Sequence, residues 1–153
     1  MFETTALKSR LFRRFLGTCI CSLTVAGVAA QDLRIEPVAR KLDSPWAVAF
    51  LPDGRFLVTE RPGKMRVIEA DGTAGAPLAG VPEVVARGQG GLLDVVLDSD
   101  FARTRVLYFC FSEPGTGGNS TALARARLAA DRSRLEEVRV IFSQKPKFAS
   151  NAH

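Results

Sequence analysis

Leu93-Asp94-Val95-Val96-Leu97-Asp98-Ser99-Asp100 repeats the pattern of Ala47-Val48-Ala49-Phe50-Leu51-Pro52-Asp53-Gly54. In both, a short apolar run ends in an aspartate-bearing turn, and Asp53 and Asp100 lie 47 residues apart. Apolar runs of this length, bounded by turn residues, read as buried strands. The flanks of each copy extend the pattern. Pro52-Asp53-Gly54 makes a turn in which proline presets φ and glycine accepts a positive φ. Arg55–Glu60 (RFLVTE) reads as the next strand, Arg61-Pro62-Gly63 turns the chain, and Lys64–Glu69 (KMRVIE) alternates as a half-buried strand should. Asp71-Gly72 turns it again. In the second copy Val106–Ser112 (VLYFCFS) answers Phe56–Glu60, and Leu135–Ser143 (LEEVRVIFS) is a fourth strand. Residues 121–137 are rich in alanine, arginine and leucine. The alternation of Ala122, Ala124 and Ala126 with Leu123, Arg125 and Arg127 nonetheless favours a strand, followed by a turn at Ala130-Asp131. A repeat of about 40–50 residues with four strands in each copy is the spacing of propeller blades. The chain is therefore expected to be all-β, with an ordinary β-sandwich as the alternative.

The first thirty residues stand outside this pattern. Lys8, Arg10, Arg13 and Arg14 precede the uncharged apolar stretch Phe15–Ala26, and Val28-Ala29-Ala30 offers small residues before Gln31. These are the three parts of a secretory signal, expected over residues 1–30 with cleavage after Ala30. The apolar stretch is short of the ~20 residues of a membrane span, so an uncleaved anchor is the lesser reading. Arg13-Arg14 resembles a twin-arginine signal but lacks its polar lead-in.

The leader also holds most of the excess positive charge. The whole chain has 21 basic and 16 acidic residues. Removing four basic residues and Glu3 leaves 17 and 15, a net charge of +2. No basic stripe with interleaved aromatics remains, which argues against a nucleic-acid partner. Cys19 and Cys21 leave with the signal. Cys110 alone forms neither an internal disulfide nor a zinc cluster, and is expected as a small buried hydrophobe.

Arg87-Gly88-Gln89-Gly90-Gly91-Leu92 is the stretch richest in possible chemistry. Three glycines around one glutamine form a backbone able to bend closely around a ligand. A glutamine at the head of a buried strand can present its amide to a polar substrate. The plain alternative is a turn and nothing more. Trp46 is expected as a core aromatic, and Asp94 as an acceptor for neighbouring backbone or an arginine. Asp53, Asp98 and Asp100 are explained by turn chemistry more simply than by calcium, which needs several oxygen ligands.

Taken in order, the motifs resemble a known family. They are Leu42-Asp43-Ser44-Pro45-Trp46-Ala47-Val48-Ala49-Phe50-Leu51-Pro52-Asp53-Gly54, Leu57-Val58-Thr59-Glu60-Arg61 with Gly63, Val81-Pro82-Glu83-Val84 and Gly88-Gln89-Gly90-Gly91-Leu92-Leu93-Asp94-Val95. Phe111-Ser112-Glu113, Val140-Ile141-Phe142, Lys145-Pro146-Lys147 and His153 follow. The chain resembles the soluble pyrroloquinoline-quinone (PQQ)-dependent sugar dehydrogenases of the glucose/sorbosone and aldose sugar dehydrogenase group. The resemblance implies a six-bladed β-propeller, with residues 31–153 forming about its first two blades. It also implies oxidation of the anomeric hydroxyl of an aldose sugar to a lactone, in the periplasm or outside the cell, by an enzyme that uses PQQ and calcium and passes its electrons to an external acceptor. By the same resemblance His153, six residues after Lys147, is the catalytic base and Gln89 binds substrate. Some members carry an aspartate just before the histidine. Here Ala152 stands there, which places the chain on the aldose-oxidising side. No cofactor or metal ligand is assigned within 1–153.

A histidine suits the task, because a neutral imidazole takes up a proton near neutral pH. His153 is the single histidine of the chain. Six blades at the observed spacing require about 280 residues. The sequence is therefore expected to be the N-terminal part of a longer protein, inactive by itself and able to form a homodimer when complete. Two other functions are compatible with a propeller. One is a calcium-dependent lactonase, which would act without quinone. The other is a non-catalytic binding module, in which Gln89 and His153 would have no reason to occur together.

Overall fold

The computed structural model describes residues 33–149. The signal expected over 1–30 and the candidate base His153 lie outside the described residues. Internal contacts divide the chain after Arg34. The regular structure of the described residues belongs to the second unit, which is described by itself. Among the described residues no helix is long and apolar enough to cross a membrane.

The described residues form eight strands. They are β1 (Pro45–Phe50), β2 (Phe56–Glu60), β3 (Lys64–Ile68), β4 (Ala74–Pro77), β5 (Leu92–Leu97), β6 (Val106–Gly115), β7 (Gly118–Leu128) and β8 (Leu135–Ser143). One short helix, α1 (Phe101–Thr104), lies between β5 and β6. The strands make two four-stranded antiparallel sheets, β1-β2-β3-β4 and β5-β6-β7-β8, each a meander in sequence order. These are two propeller blades. The first strands of the two copies begin 47 residues apart, as the repeat requires.

The turn residues act as their chemistry dictates. Gly54 (φ +82°) donates to the Leu51 carbonyl at 3.1 Å, and the Leu51 N–H donates to Arg55 O at 2.9 Å, so Pro52–Gly54 reverses the chain. Asp98 accepts from the Asp100 N–H and the Tyr108 hydroxyl. Asp53 accepts from the Arg55 N–H and pairs with Arg132 across to the second blade. The alternating segment 121–128 is the strand expected of it, with its three alanines fully buried and its arginines half-buried.

Two elements were not legible. β4 (AGAP) carries no β-branched or aromatic side chain. It is an exposed edge strand held by backbone and by Arg66, and an edge tolerates its proline. α1 is a single turn that tucks Phe101 inward and is closed by Arg105 in the left-handed region.

The core is continuous across the two blades. Leu57, Met65 and Val67 of the first join Leu92, Leu107, Phe109 and Phe111 of the second. Within the second blade the pairing sets large against small: Leu107 opposite Ala126, Phe109 opposite Ala124, Phe111 opposite Ala122. The alanines leave the room that the neighbouring blade fills. The opposite face of the first blade is an open apolar groove of about 390 Å³, lined by Trp46, Val48, Phe50, Phe56 and Val58 among others.

Glu60 is a buried charge in this apolar setting, with 1% of its surface exposed. Its carboxylate accepts from Arg66 Nε at 2.9 Å and from the Asp43 N–H at 2.7 Å. Burial pushes its pKa upward, but these donors outweigh burial and hold it below the ordinary value of 4.5. Stabilisation from such a group is complete above its unfolded pKa and is lost as pH falls through the lowered folded value. Arg66→Met strands the carboxylate and should cost about 3 kcal/mol in urea melts at pH 7. The deficit relative to wild type should shrink as the pH falls below 4.5.

Candidate functional site

Gln89 sits exposed at the tip of the turn that leads into β5. The turn is closed by the Gly90 N–H donating to Arg87 O at 2.8 Å. Two further grips hold it, one from each blade. From the first blade, Arg61 donates through Nη1 to the carbonyls of Gly88 and Gly90, which flank Gln89 in sequence. The Arg61 carbonyl accepts from the Leu92 N–H at 2.9 Å. From the second blade, the Ser112 hydroxyl accepts from the Gly91 N–H at 3.1 Å, and the Ser112 N–H donates to Gly91 O at 2.9 Å. The Ser112 carbonyl accepts from Val85 N–H at 2.9 Å, on the incoming side of the loop.

This packing explains the glycines. A Cβ on Gly90 would lie 2.7 Å from Ser112 Oγ and 3.0 Å from Val85 O. Gly91, at φ +155°, has its backbone against Arg61 with no room for a side chain. The loop is thus braced from both blades, with Gln89 exposed at its tip.

The same end of the second blade receives a second segment. β5 begins opposite the far end of β6, where Leu92 pairs with Phe111. Beyond it, the β6–β7 turn is bridged by Asn119 and Phe148, with N–H···O distances of 2.9 and 3.1 Å. Lys147 Nζ donates to the Glu113 carboxylate, which also accepts from Ser143 Oγ. The lysine, first, and the hydroxyl hold the Glu113 carboxyl below the ordinary glutamate value. The chain leaves this anchorage at Phe148, five residues before His153.

Three sequence readings need correction. Trp46 is 50% exposed rather than core. Its indole Nε1 donates to Asp94 Oδ1 at 3.1 Å across the two innermost strands. Asp94 therefore takes its hydrogen bond from a tryptophan, not from backbone or an arginine, because its strand position faces out beside β1. Cys110 is half-buried rather than buried, because it alternates with Phe109 and Phe111 and points away from the shared core. Burial, then the nearby Asp94 charge, raise its thiol pKa. Arg61 and Lys147 were read as members of motifs without roles of their own. Only their tertiary partners reveal them.

Among the described residues no group of three or more His, Cys, Asp or Glu side chains could hold a metal ion. Arg61, which holds the Gln89 loop, and Lys147, which pairs with Glu113, are both committed to protein groups.

The sequence profile of the Glucose / Sorbosone dehydrogenase family matches residues 42–153. The chain belongs to this family. It is 43% identical over 141 residues to the aldose sugar dehydrogenase YliI of Escherichia coli, which covers 91% of this chain and 38% of that protein. It is 34% identical over 129 residues to the uncharacterized protein slr1608 of Synechocystis, over 79% of this chain and 31% of the other. The chain thus spans less than two fifths of the length of these relatives. Among solved structures it resembles the soluble aldose sugar dehydrogenase of E. coli in its apo form, with TM-score 0.70 and 48% identity over 73% of this chain and 33% of that one. It also resembles the PQQ-bound aldose sugar dehydrogenase of Streptomyces coelicolor, with TM-score 0.63 and 28% identity over 73% and 34% of the two chains.

Arg61→Ala removes one brace and leaves Ser112 in place. Amide exchange at Gly90 and Gly91 should rise at least tenfold, a change of about 1.4 kcal/mol in local opening, with exchange in β7 unchanged. Mass-resolved hydrogen exchange reads both.

Proposed function

We propose that the full-length protein oxidises the anomeric hydroxyl of an aldose sugar to the lactone, using PQQ. One observation carries the reading: the braced Gln89 platform and the anchored segment that leads to His153 converge on the same end of the second blade. The family membership and the named activities of the relatives support it.

In this reading the outward Gln89 amide, able both to donate and to accept, binds and orients sugar hydroxyls. His153 takes the proton of the anomeric hydroxyl while the hydrogen on the same carbon leaves with its electron pair. Bound quinone supplies the acceptor for that hydride, and protein groups orient the two reactants. The cofactor and calcium contacts, and the remaining blades, come from residues outside 33–149. The chain 1–153 is then expected to be inactive alone. Residues 1–30 act as a secretory signal, and 31–153 begin a periplasmic or secreted propeller.

In the full-length protein loaded with PQQ, His153→Ala should lower kcat by about 10²–10⁴-fold in dye-reduction assays. Gln89→Ala should act mainly on KM for the aldose. Lactone hydrolysis without quinone, in place of dye reduction, would instead indicate a lactonase-type hydrolase, and full activity in His153→Ala would remove His153 as the base. Export should yield a mature protein whose N-terminal sequence starts at Gln31; a start at Met1 would refute the signal.

A further inference from the structure

We propose that the cleft between the two blades, at the end remote from Gln89, binds a small amphipathic carboxylate: Arg105 takes the carboxylate and an apolar floor takes the tail.

The cleft has a volume of about 380 Å³, within the ~300–1,000 Å³ of small-ligand pockets. Three connections wall it. The β1–β2 turn brings Leu51 and Asp53, α1 and its C-cap bring Phe101 and Arg105, and the β7–β8 turn brings Ala129 and Arg132. Both walls lie within the described residues. The Gln89 loop enters β5 at Leu92, whereas α1 follows the other end of that strand, about 20 Å further along. The cleft is therefore separate from the candidate sugar site.

Its floor is apolar. Leu51, Phe101, Leu128 and Ala129 line it, and none is more than 7% exposed. A hydrocarbon tail laid on such a floor leaves water without displacing a bonded polar group.

Its rim carries an uncommitted charge. The other arginines around this end are paired: Arg103 with Asp100, Arg132 with Asp53, and Arg134 with Asp131 and Glu136. Arg105 differs. Its Nε donates to Leu128 O at 3.0 Å, and among the described residues Nη1 and Nη2 have no acceptor. The bond at Nε holds the guanidinium, and the free nitrogens can donate to both oxygens of one carboxylate. Asp53 is occupied by Arg132 and by the Arg55 N–H. Two arginines against one aspartate leave the rim at +1. That balance suits a singly charged head, since a dianion would meet the Asp53 charge.

The backbone points the same way. Arg105 and Arg132 both sit in the left-handed region, at φ +54° and +57°. A glycine serves a turn there without strain. Strain of this kind gathers at ligand sites, and two arginines that bear it flank this one cleft.

The test uses the full-length protein, with hexanoate as the probe and 1-hexanol and inorganic phosphate as controls. Hexanoate should bind saturably in an NMR titration with a Kd of about 1 mM or tighter, the range open to a ligand of its size. It should slow amide exchange in residues 100–106 and 128–133 and leave residues 87–92 unchanged. Arg105→Gln should weaken binding about tenfold or more, through loss of the charge-assisted hydrogen bonds. Ala102 lines the cleft and is exposed. Ala102→Trp fills the space with Arg105 intact; it should weaken binding by a similar factor, and it answers the question if Arg105→Gln folds poorly. 1-Hexanol lacks the charge and phosphate lacks the tail, so each should bind about tenfold more weakly or worse. Absence of saturable hexanoate binding below about 10 mM overturns the proposal. So does unchanged affinity in either folded variant, or equal affinity for 1-hexanol or phosphate. No readout depends on PQQ or on His153, so the result stands apart from the proposed reaction.

Discussion

The rest of the structure depends on one fit, the packing of the first blade against the inner face of the second. That face is made possible by the alanines of β7. Ala122, Ala124 and Ala126 are fully buried and stand opposite Phe111, Phe109 and Leu107. Cores reach crystal-like density only when large and small residues interdigitate in this way. The first blade supplies Leu57, Met65 and Val67 to the same cluster. Thr59, wholly buried, adds a polar tie across the seam: its hydroxyl donates to Leu93 O at 2.7 Å and accepts from the Ala47 N–H at 3.1 Å. A larger residue at any of the three alanines would push the sheets apart and separate Arg61 from the loop it holds.

The site follows from that packing. Loops that carry function need a rigid scaffold beneath them, and here the scaffold is two strand ends from different blades. A bulge interrupts the register of each innermost strand near this end, between Pro45 and Ala47 in the first blade and between Leu92 and Val95 in the second. Bulges re-aim the chain at the rims of sheets. The exposed Trp46 and its hydrogen bond to Asp94 lie on the same two strands. This polar link joins neighbouring blades on the side where the shared core ends.

Much of the fold could be read from turn chemistry. Pro52-Asp53-Gly54, Arg61-Pro62-Gly63 and Asp71-Gly72 punctuate the first blade, and the recurrence of the apolar run at a spacing of 47 residues announces the second. β4 escaped because edge strands need no apolar face, so its AGAP sequence carries no strand signal. Trp46 misled for the opposite reason: aromatic character suggests burial, yet alternation on β1 places it on the face away from the shared core. The tight loop that carries Gln89 was legible because glycines crowd together in it. Arg61 and Lys147 were not, since a surface cation and a brace look alike until their partners are known. Arg61 spends its guanidinium on backbone carbonyls, and a carbonyl has no signature in sequence. Glu113 and Lys147 are 34 residues apart, and nothing local connects them.

The internal repeat also explains why two such different residues hold the same loop. In the first blade the Arg61 N–H donates to Ser44 O; in the second the Ser112 N–H donates to Gly91 O. Pro45 pairs with Glu60 as Leu92 pairs with Phe111. Arg61 and Ser112 are therefore equivalent positions in the blade repeat, the first just past the end of β2 and the second within β6. Each makes the backbone bond that its position in the blade dictates, and the side chains are then free to differ. Arg61 is long because it must cross from one blade to the next to reach Gly88 and Gly90. Ser112 is short because Gly91 is already its hydrogen-bonded neighbour. Glu60 and Phe111, the residues just before, show the same divergence: one a buried carboxylate satisfied by Arg66, the other a buried ring that meets Ala122. The blade repeat supplies the backbone frame twice, and the differences between the two copies build the candidate site where the frames meet.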